Sequence, residues 1–219
     1  MARGSREATS SSRRSIRTAA DKASMPAVAG RVERVTARVP LDLERTLALV
    51  RPLSTSLDSV FHGEDHWRHV ASIGLDLAER TLQCDPVVVC LFALLHDARR
   101  IGDDDDPQHG ARGAALVHSL ELGRFGFSAA QLALVETACR GHTGGGLSGD
   151  PTIGTCWDAD RLTLWRVGIA PTVAYMSTAA GTEAVASGRR VAGATDWSEV
   201  ARRLRTPSHS ASSHLKPGT

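Results

Sequence analysis

The chain has 219 residues, a formal net charge of +2 and a hydrophobic content of 42%, with only 4% aromatic residues. This length accommodates one domain of about 150 residues with further segments at its ends. A composition poor in aromatic residues favours helices over a β-sandwich, and no apolar run reaches the roughly 18–20 residues needed to span a membrane.

Positive charge is concentrated at the start of the chain, where residues 1–40 carry nine Lys and Arg against three acidic residues. This segment is rich in Ser, Arg and Ala and has little apolar periodicity, which predicts a disordered basic leader. Nucleic-acid contact by the leader is an alternative interpretation. We predict one helical domain over residues 41–205 and a disordered tail over 206–219.

Apolar residues at helical spacing predict an all-α bundle. Pro86 stands at a favourable first helical position, while Asp65 and Ser128 are expected N-caps. The predicted helices cover residues 41–53, 65–82, 86–98, 107–122 and 128–140, a segment from Thr152 or Thr155 to about 167, and a short helix within 171–188.

The four cysteines show no C-x-x-C spacing, and the N-terminus has no apolar signal-like region. We therefore expect reduced thiols in a cytoplasmic protein without a membrane partner. The pattern does not predict an oligomeric state.

Histidine and aspartate recur at the ends of the predicted helices. His96-Asp97 ends the apolar run 87–95, and an imidazole beside a carboxylate at the end of a buried helix is costly unless an ion binds there. Side chains from several helices of a bundle can converge on one interior point, and imidazole and carboxylate donors suit Mn, Fe, Co, Ni or Zn. The further candidates on other helices or helix ends are His66, His109, His142 and Asp160.

These residues lie in motifs that follow one another along the chain: Asp65-His66-Trp67-Arg68-His69-Val70, Leu95-His96-Asp97, His109-Gly110-Ala111-Arg112-Gly113-Ala114, Gly141-His142-Thr143 and Asp158-Ala159-Asp160-Arg161-Leu162. In this order they resemble the H…HD…H…H…D signature of the HD-domain superfamily of metal-dependent phosphohydrolases. The resemblance covers about residues 58–170 and implies a compact helical bundle of the HD type.

The resemblance also implies the metal ligands. One ion would be held by the four residues His66, His96, Asp97 and Asp160. In members with two ions, His109 and His142 would bind the second and Asp97 would bridge. The segment between Asp97 and His109 is short, so His118 is an alternative to His109, and the number of ions, one or two, stays open.

Metal ions of this kind lower the pKa of a bound water toward about 7 and hold phosphate oxygens. We therefore predict a hydrolase acting on a small phosphorylated metabolite or nucleotide, in which Asp97 takes part in catalysis. Arg99, Arg100 and Arg140 stand beside ligand positions and are expected to grip the phosphate. The alternatives are a di-iron oxygenase of the same fold and a non-catalytic, metal-binding regulatory module.

Other polar residues are given supporting roles. We expect a structural role for Asp158 and an internal ion pair for Arg161. His62 and His69 are expected to support the site or to lie exposed. The acidic run 103–106 is interpreted as a solvated loop.

Overall fold

The structure, a computed structural model, describes residues 41–188 and 196–205. Within these ranges it is built from α-helices, short 3-10 turns and loops, without a strand, which confirms the all-α prediction. The predictions for residues 1–40 and 206–219 lie outside the described residues. In chain order the helices are α1 Leu43–Val50, α2 Glu64–Ala78, α3 Pro86–Leu95, α4 His109–Ser119, α5 Ala129–Gly141, α6 Pro151–Leu162, α7 Ala179–Ala186 and α8 Trp197–Arg205.

Helix α3 forms the centre of the bundle. Its residues 87–95 are all buried, and it contacts α1, α2, α4, α5 and α6. Asp85 caps the helix by accepting a hydrogen bond from Val87 N at 3.0 Å, and Pro86 occupies the first turn. Burial of each Val, Leu or Phe contributes about 1.5–3 kcal/mol, so α3 is a firm support for His96 at its carboxyl end.

Helix α2 begins and ends earlier than the sequence predicted. Its N-cap is Gly63, so the N-cap prediction for Asp65 is wrong. A Cβ on Gly63 would lie 2.3 Å from the Ser59 carbonyl oxygen, which explains why glycine makes this turn. The helix ends at Ala78, and Leu82, which the pattern placed on its buried face, is 86% exposed in the following turn.

Helix α8 is absent from the predicted elements. Asp196 Oδ1 accepts a hydrogen bond from Glu199 N at 2.9 Å at the start of the helix, and the Trp197 and Val200 side chains are buried. Trp197 Nε1 also donates to Glu64 Oε1 at 2.7 Å, which joins α8 to the first turn of α2. Trp197, Val200 and Leu204 do recur at helical spacing and pack on the core, a pattern that the sequence prediction did not use.

The four cysteines are free and buried. Among the described helices, none combines the length and the apolar character that crossing a membrane requires.

Candidate metal centre

Three histidines of the candidate site are oriented in the same way. Each lies at a helix terminus and directs its Nδ1 toward the backbone carbonyl three residues earlier. Because a carbonyl oxygen can only accept, Nδ1 carries the hydrogen and Nε2 keeps its lone pair. The pairs are His96 with Ala93 O at 3.1 Å, His142 with Cys139 O at 2.7 Å, and His109 with Asp106 O.

His66 reaches the same protonation pattern through a side chain. Its Nδ1 lies 3.5 Å from Thr163 Oγ1. That hydroxyl donates its own hydrogen to the Asp160 carbonyl oxygen at 2.6 Å, so it accepts from His66. In its neutral form, each of the four imidazoles therefore presents an unprotonated Nε2 to the interior of the bundle.

Four side chains from α2, the end of α3 and α6 form the first ligand set. His66 Nε2 lies 3.1 Å from His96 Nε2, 3.3 Å from Asp160 Oδ1 and 3.4 Å from Asp97 Oδ2. His96 Nε2 lies 3.5 Å from Asp97 Oδ2 and 3.8 Å from Asp160 Oδ1. Both imidazoles are buried, so these donor atoms face one another without water between them.

The second set lies on the other side of Asp97. His109 Nε2, from the start of α4, is 2.9 Å from His142 Nε2, which follows α5. Asp97 Oδ1 lies 3.2 Å from His109 Nε2 and 3.7 Å from His142 Nε2. The two carboxylate oxygens of Asp97 thus face different sets.

Asp97 has one oxygen with a hydrogen bond and one without. Oδ2 accepts from His62 Nδ1 at 3.0 Å, a contact that the sequence did not identify individually. Oδ1 is buried and has no hydrogen-bond partner, which is costly for a carboxylate oxygen. The His62 backbone is itself held, because its carbonyl accepts from Trp67 Nε1 at 2.8 Å.

The ionisation states favour binding of a cation. Burial would raise the pKa of Asp97, but the neighbouring His96 and the hydrogen bond from His62 hold this pKa well below its ordinary value. Burial also opposes ionisation of Asp160, whose pKa is nevertheless lowered by His66 and His96. Burial lowers the pKa of His96 to about 3. Charged carboxylates beside neutral imidazole are the forms that bind metal ions.

The donor set fits divalent transition metals. Ligand atoms about 2.0–2.2 Å from a common ion lie roughly 3–3.5 Å from one another, which is the range of most distances in both sets. The facing Nε2 lone pairs and the unpartnered Asp97 Oδ1 are repulsive or costly without a cation, and an ion in each set would satisfy them. The assignment of the six side chains as ligands stays a prediction, one that their convergence supports: His66, His96, Asp97, His109, His142 and Asp160.

A cavity of about 400 Å³ opens over both sets. Arg100 lines it, with Nη2 donating to the Asp104 carbonyl oxygen at 2.8 Å and Nη1 lying 3.0 Å from His109 Nδ1. That ring nitrogen already directs its hydrogen to Asp106 O, so it is a poor acceptor for Arg100. Arg100 Nε is buried without a hydrogen-bond partner, and the guanidinium brings a positive charge to the lining of the cavity.

The structure does not bring the other two predicted arginines into the cavity. Arg99 Nη1 donates to the Leu53 carbonyl oxygen at 2.8 Å in an exposed position. The Arg140 side chain is 54% exposed and lies 3.8 Å from Glu136 Oε2. His118, the alternative to His109, also points outward and contacts Glu136 at 2.8 Å.

Two residues near the end of α6 organise the cavity. Asp158 accepts from Ser177 N at 2.7 Å and from Thr178 N and Oγ1, both at 2.8 Å, so its role is structural, as expected. Arg161 donates to the carbonyl oxygens of Tyr175 at 2.6 Å and Gly146 at 2.7 Å. These backbone contacts replace the ion pair that the sequence predicted.

The sequence matches no protein-family model and no curated protein. A solved structure described as a predicted HD superfamily hydrolase, from an uncultured Thermotogales bacterium, is similar to this chain with 26% sequence identity and a TM-score of 0.53. The similarity covers 74% of this chain and 89% of that chain. This similarity and the all-α architecture show that the chain has an HD-domain fold.

Proposed function

We propose that the protein is a metal-dependent hydrolase that acts on a small phosphate ester. The observation that carries this proposal is the pair of ligand sets joined through Asp97 at the floor of an open cavity, with Arg100 at its side. The similar solved structure, described as a predicted HD superfamily hydrolase, supports the hydrolase class. The phosphate ester is inferred from the site.

Bound divalent ions at such a site make a water more acidic and neutralise phosphate oxygens. The protein itself contributes by holding the ligand side chains in position. Asp97 fixes the spacing of the two sets because its two oxygens belong to different sets. The backbone carbonyls behind His96 and His142 hold each ring in place, which reduces the reorganisation needed when substrate binds.

Charge also favours a phosphate monoester. Two divalent ions against the carboxylates of Asp97 and Asp160 leave about two positive charges, and a phosphate monoester carries about −1.5 to −2 at neutral pH. Arg100 adds a planar donor group suited to a phosphate oxygen. A phosphate monoester thus balances most of the positive charge of the site.

The two alternatives are less well supported by the cavity. A purely regulatory metal site has no need of an open cavity over its ligands, whereas Asp97, His109, His142 and Asp160 all line this one. An oxygenase would use the same six ligands, but the positive charge of Arg100 in the cavity lining favours an anionic substrate. Iron content and oxygen uptake distinguish the oxygenase directly.

The test uses the full chain loaded separately with Mn, Fe, Co, Ni or Zn, with phosphate release measured from a panel of phosphate monoesters. We expect turnover that His96→Ala and Asp97→Ala abolish and that His118→Ala, an exposed control, retains. Arg100→Met should lower kcat/KM about tenfold to a hundredfold, the range of hydrogen bonds to charged groups.

Arg124→Met is the matched control for Arg100→Met, because the Arg124 side chain is 78% exposed and pairs with Glu121. Absence of phosphate release with every metal, or equal activity in the wild type and Asp97→Ala, would contradict the proposed function.

A further inference from the structure

One wall of the cavity is apolar and comes from a single stretch of chain. Residues 164–176, between α6 and α7, contribute Leu164, Ile169, Pro171, Tyr175 and Met176 to the lining. Ile169 is 55% exposed and Tyr175 is 54% exposed. Large apolar side chains that remain exposed beside a polar site are a feature of ligand-binding surfaces.

The wall is held in position by hydrogen bonds at several points. Ile169 N donates to the Leu164 carbonyl oxygen at 3.2 Å, and Arg161 donates to the Tyr175 carbonyl oxygen. Asp158 binds the backbone just beyond Met176, at Ser177 N. The apolar side chains are therefore presented to the cavity by a fixed backbone.

The dimensions bring the wall close to any bound substrate. The cavity of about 400 Å³ lies toward the small end of the 300–1,000 Å³ range of small-molecule sites. A phosphate held by the ligand sets and Arg100 therefore has its organic group next to residues 164–176. Both Arg161 guanidinium nitrogens Nη1 and Nη2 are used by carbonyl oxygens, so the wall itself offers mainly apolar contact.

We propose that residues 164–176 form a subsite for an apolar organic group, so that the preferred substrates are phosphate monoesters of apolar alcohols rather than of polyols. This inference rests on the proposed function, since it assigns the part of the substrate that the metal ligands do not contact.

The experiment compares ethyl, butyl and hexyl phosphate, whose leaving alcohols have nearly the same acidity, with glycerol 3-phosphate as the polar counterpart. For the metal-loaded full chain, kcat/KM should rise along the alkyl series by about fourfold for each methylene that is buried. The kcat/KM for glycerol 3-phosphate should fall below that for butyl phosphate. Ile169→Ser should flatten the rise in kcat/KM along the alkyl series. Leu82→Ser, an exposed leucine outside the cavity, should retain the wild-type series.

Binding of ethylphosphonate and hexylphosphonate, measured by calorimetry, provides a readout that is independent of catalysis. Tighter binding of hexylphosphonate to the wild type, reduced in Ile169→Ser, supports the subsite. Equal affinity of the two phosphonates, absence of binding, or equal kcat/KM across the esters overturns it. If no ester is hydrolysed but hexylphosphonate binds more tightly, the proposed function fails while the apolar subsite stands.

Discussion

A substitution at Gly110 can test the two ligand sets separately. A side chain at this position disturbs the second set, which contains His109 and His142, and leaves the first set unchanged. A Cβ on Gly110 would lie 2.3 Å from the Cys139 carbonyl oxygen and 3.1 Å from His142 Cε1. That carbonyl orients His142, and His109 is the neighbouring residue on α4. Gly110→Ala therefore forces apart the two histidines of the second set.

The magnitude follows from the contact distances. An ordinary Cβ contact is 3.4–4 Å, so α4 and α5 must separate by about 1 Å to accommodate the methyl group. Overpacking of this kind costs about 1–3 kcal/mol, and the higher helix propensity of alanine offsets up to about 1 kcal/mol. Displacement of a ligand's supporting group lowers metal affinity about tenfold to a hundredfold.

The assay is a calorimetric metal titration of Gly110→Ala, accompanied by urea unfolding. We expect the second ion to bind about tenfold to a hundredfold more weakly, while the first binds as in the wild type because His66, His96 and Asp160 come from other elements. Gly123→Ala is the control, since its Cβ would lie 3.8 Å from Leu132 Cδ1, an ordinary contact. Two ions bound to Gly110→Ala with wild-type affinities would refute the reasoning.

Three further predictions concern groups around the site and the core. His62→Ala should weaken metal binding, measured by calorimetry, about tenfold to a hundredfold, because it removes the hydrogen bond that holds Asp97 Oδ2. The control His118→Ala should bind metal as the wild type does. Asp158→Asn should lower the free energy of unfolding by about 1–3 kcal/mol in urea denaturation. The reason is that the NH₂ group of the asparagine would face hydrogen-bond donors at the start of α7. An effect as small as that of Asp105→Asn, a substitution at an exposed position, would contradict this prediction. Maleimide should label Cys84, which is 9% exposed, before the other three cysteines, which are fully buried; peptide mapping that finds another thiol modified first would disprove it.

The sequence predicted the convergence of six side chains because helix periodicity and motif order carry that information. In α6, for example, Asp158 and Asp160 are two residues apart and so point about 200° apart around the helix. One therefore faces α7 and the other faces His66. The sequence analysis expected a structural role for Asp158, and the resemblance to the HD superfamily implied a ligand role for Asp160.

Arg99, Arg100 and Arg140 were expected to bind the phosphate because they are close to predicted ligands in the sequence, but of the three only Arg100 lines the cavity. Arg140 follows the buried Cys139, but neighbouring helical residues differ by about 100° in direction, and Arg140 faces outward. Arg99 and Arg100 follow the end of α3, where the chain turns, so adjacent side chains diverge. Their directions depend on loop geometry, which apolar periodicity does not encode.

His62 was recognised only as one of two histidines with a supporting or exposed position. Its contact with Asp97 spans 35 residues of sequence and depends on the turn before α2, which no motif describes. His69, its counterpart in that prediction, is exposed. The two histidines could not be distinguished until α2 and the end of α3 were placed side by side.

Metal stoichiometry tests the central claim most directly. The full chain is loaded with Mn, Fe, Co, Ni or Zn, desalted and analysed for metal per chain, in parallel with His142→Ala. The structure predicts two ions in the wild type and one in His142→Ala, because the set of His66, His96, Asp97 and Asp160 stays complete. One ion or none in the wild type, or an unchanged content of two in His142→Ala, would contradict a centre of two sets joined through Asp97.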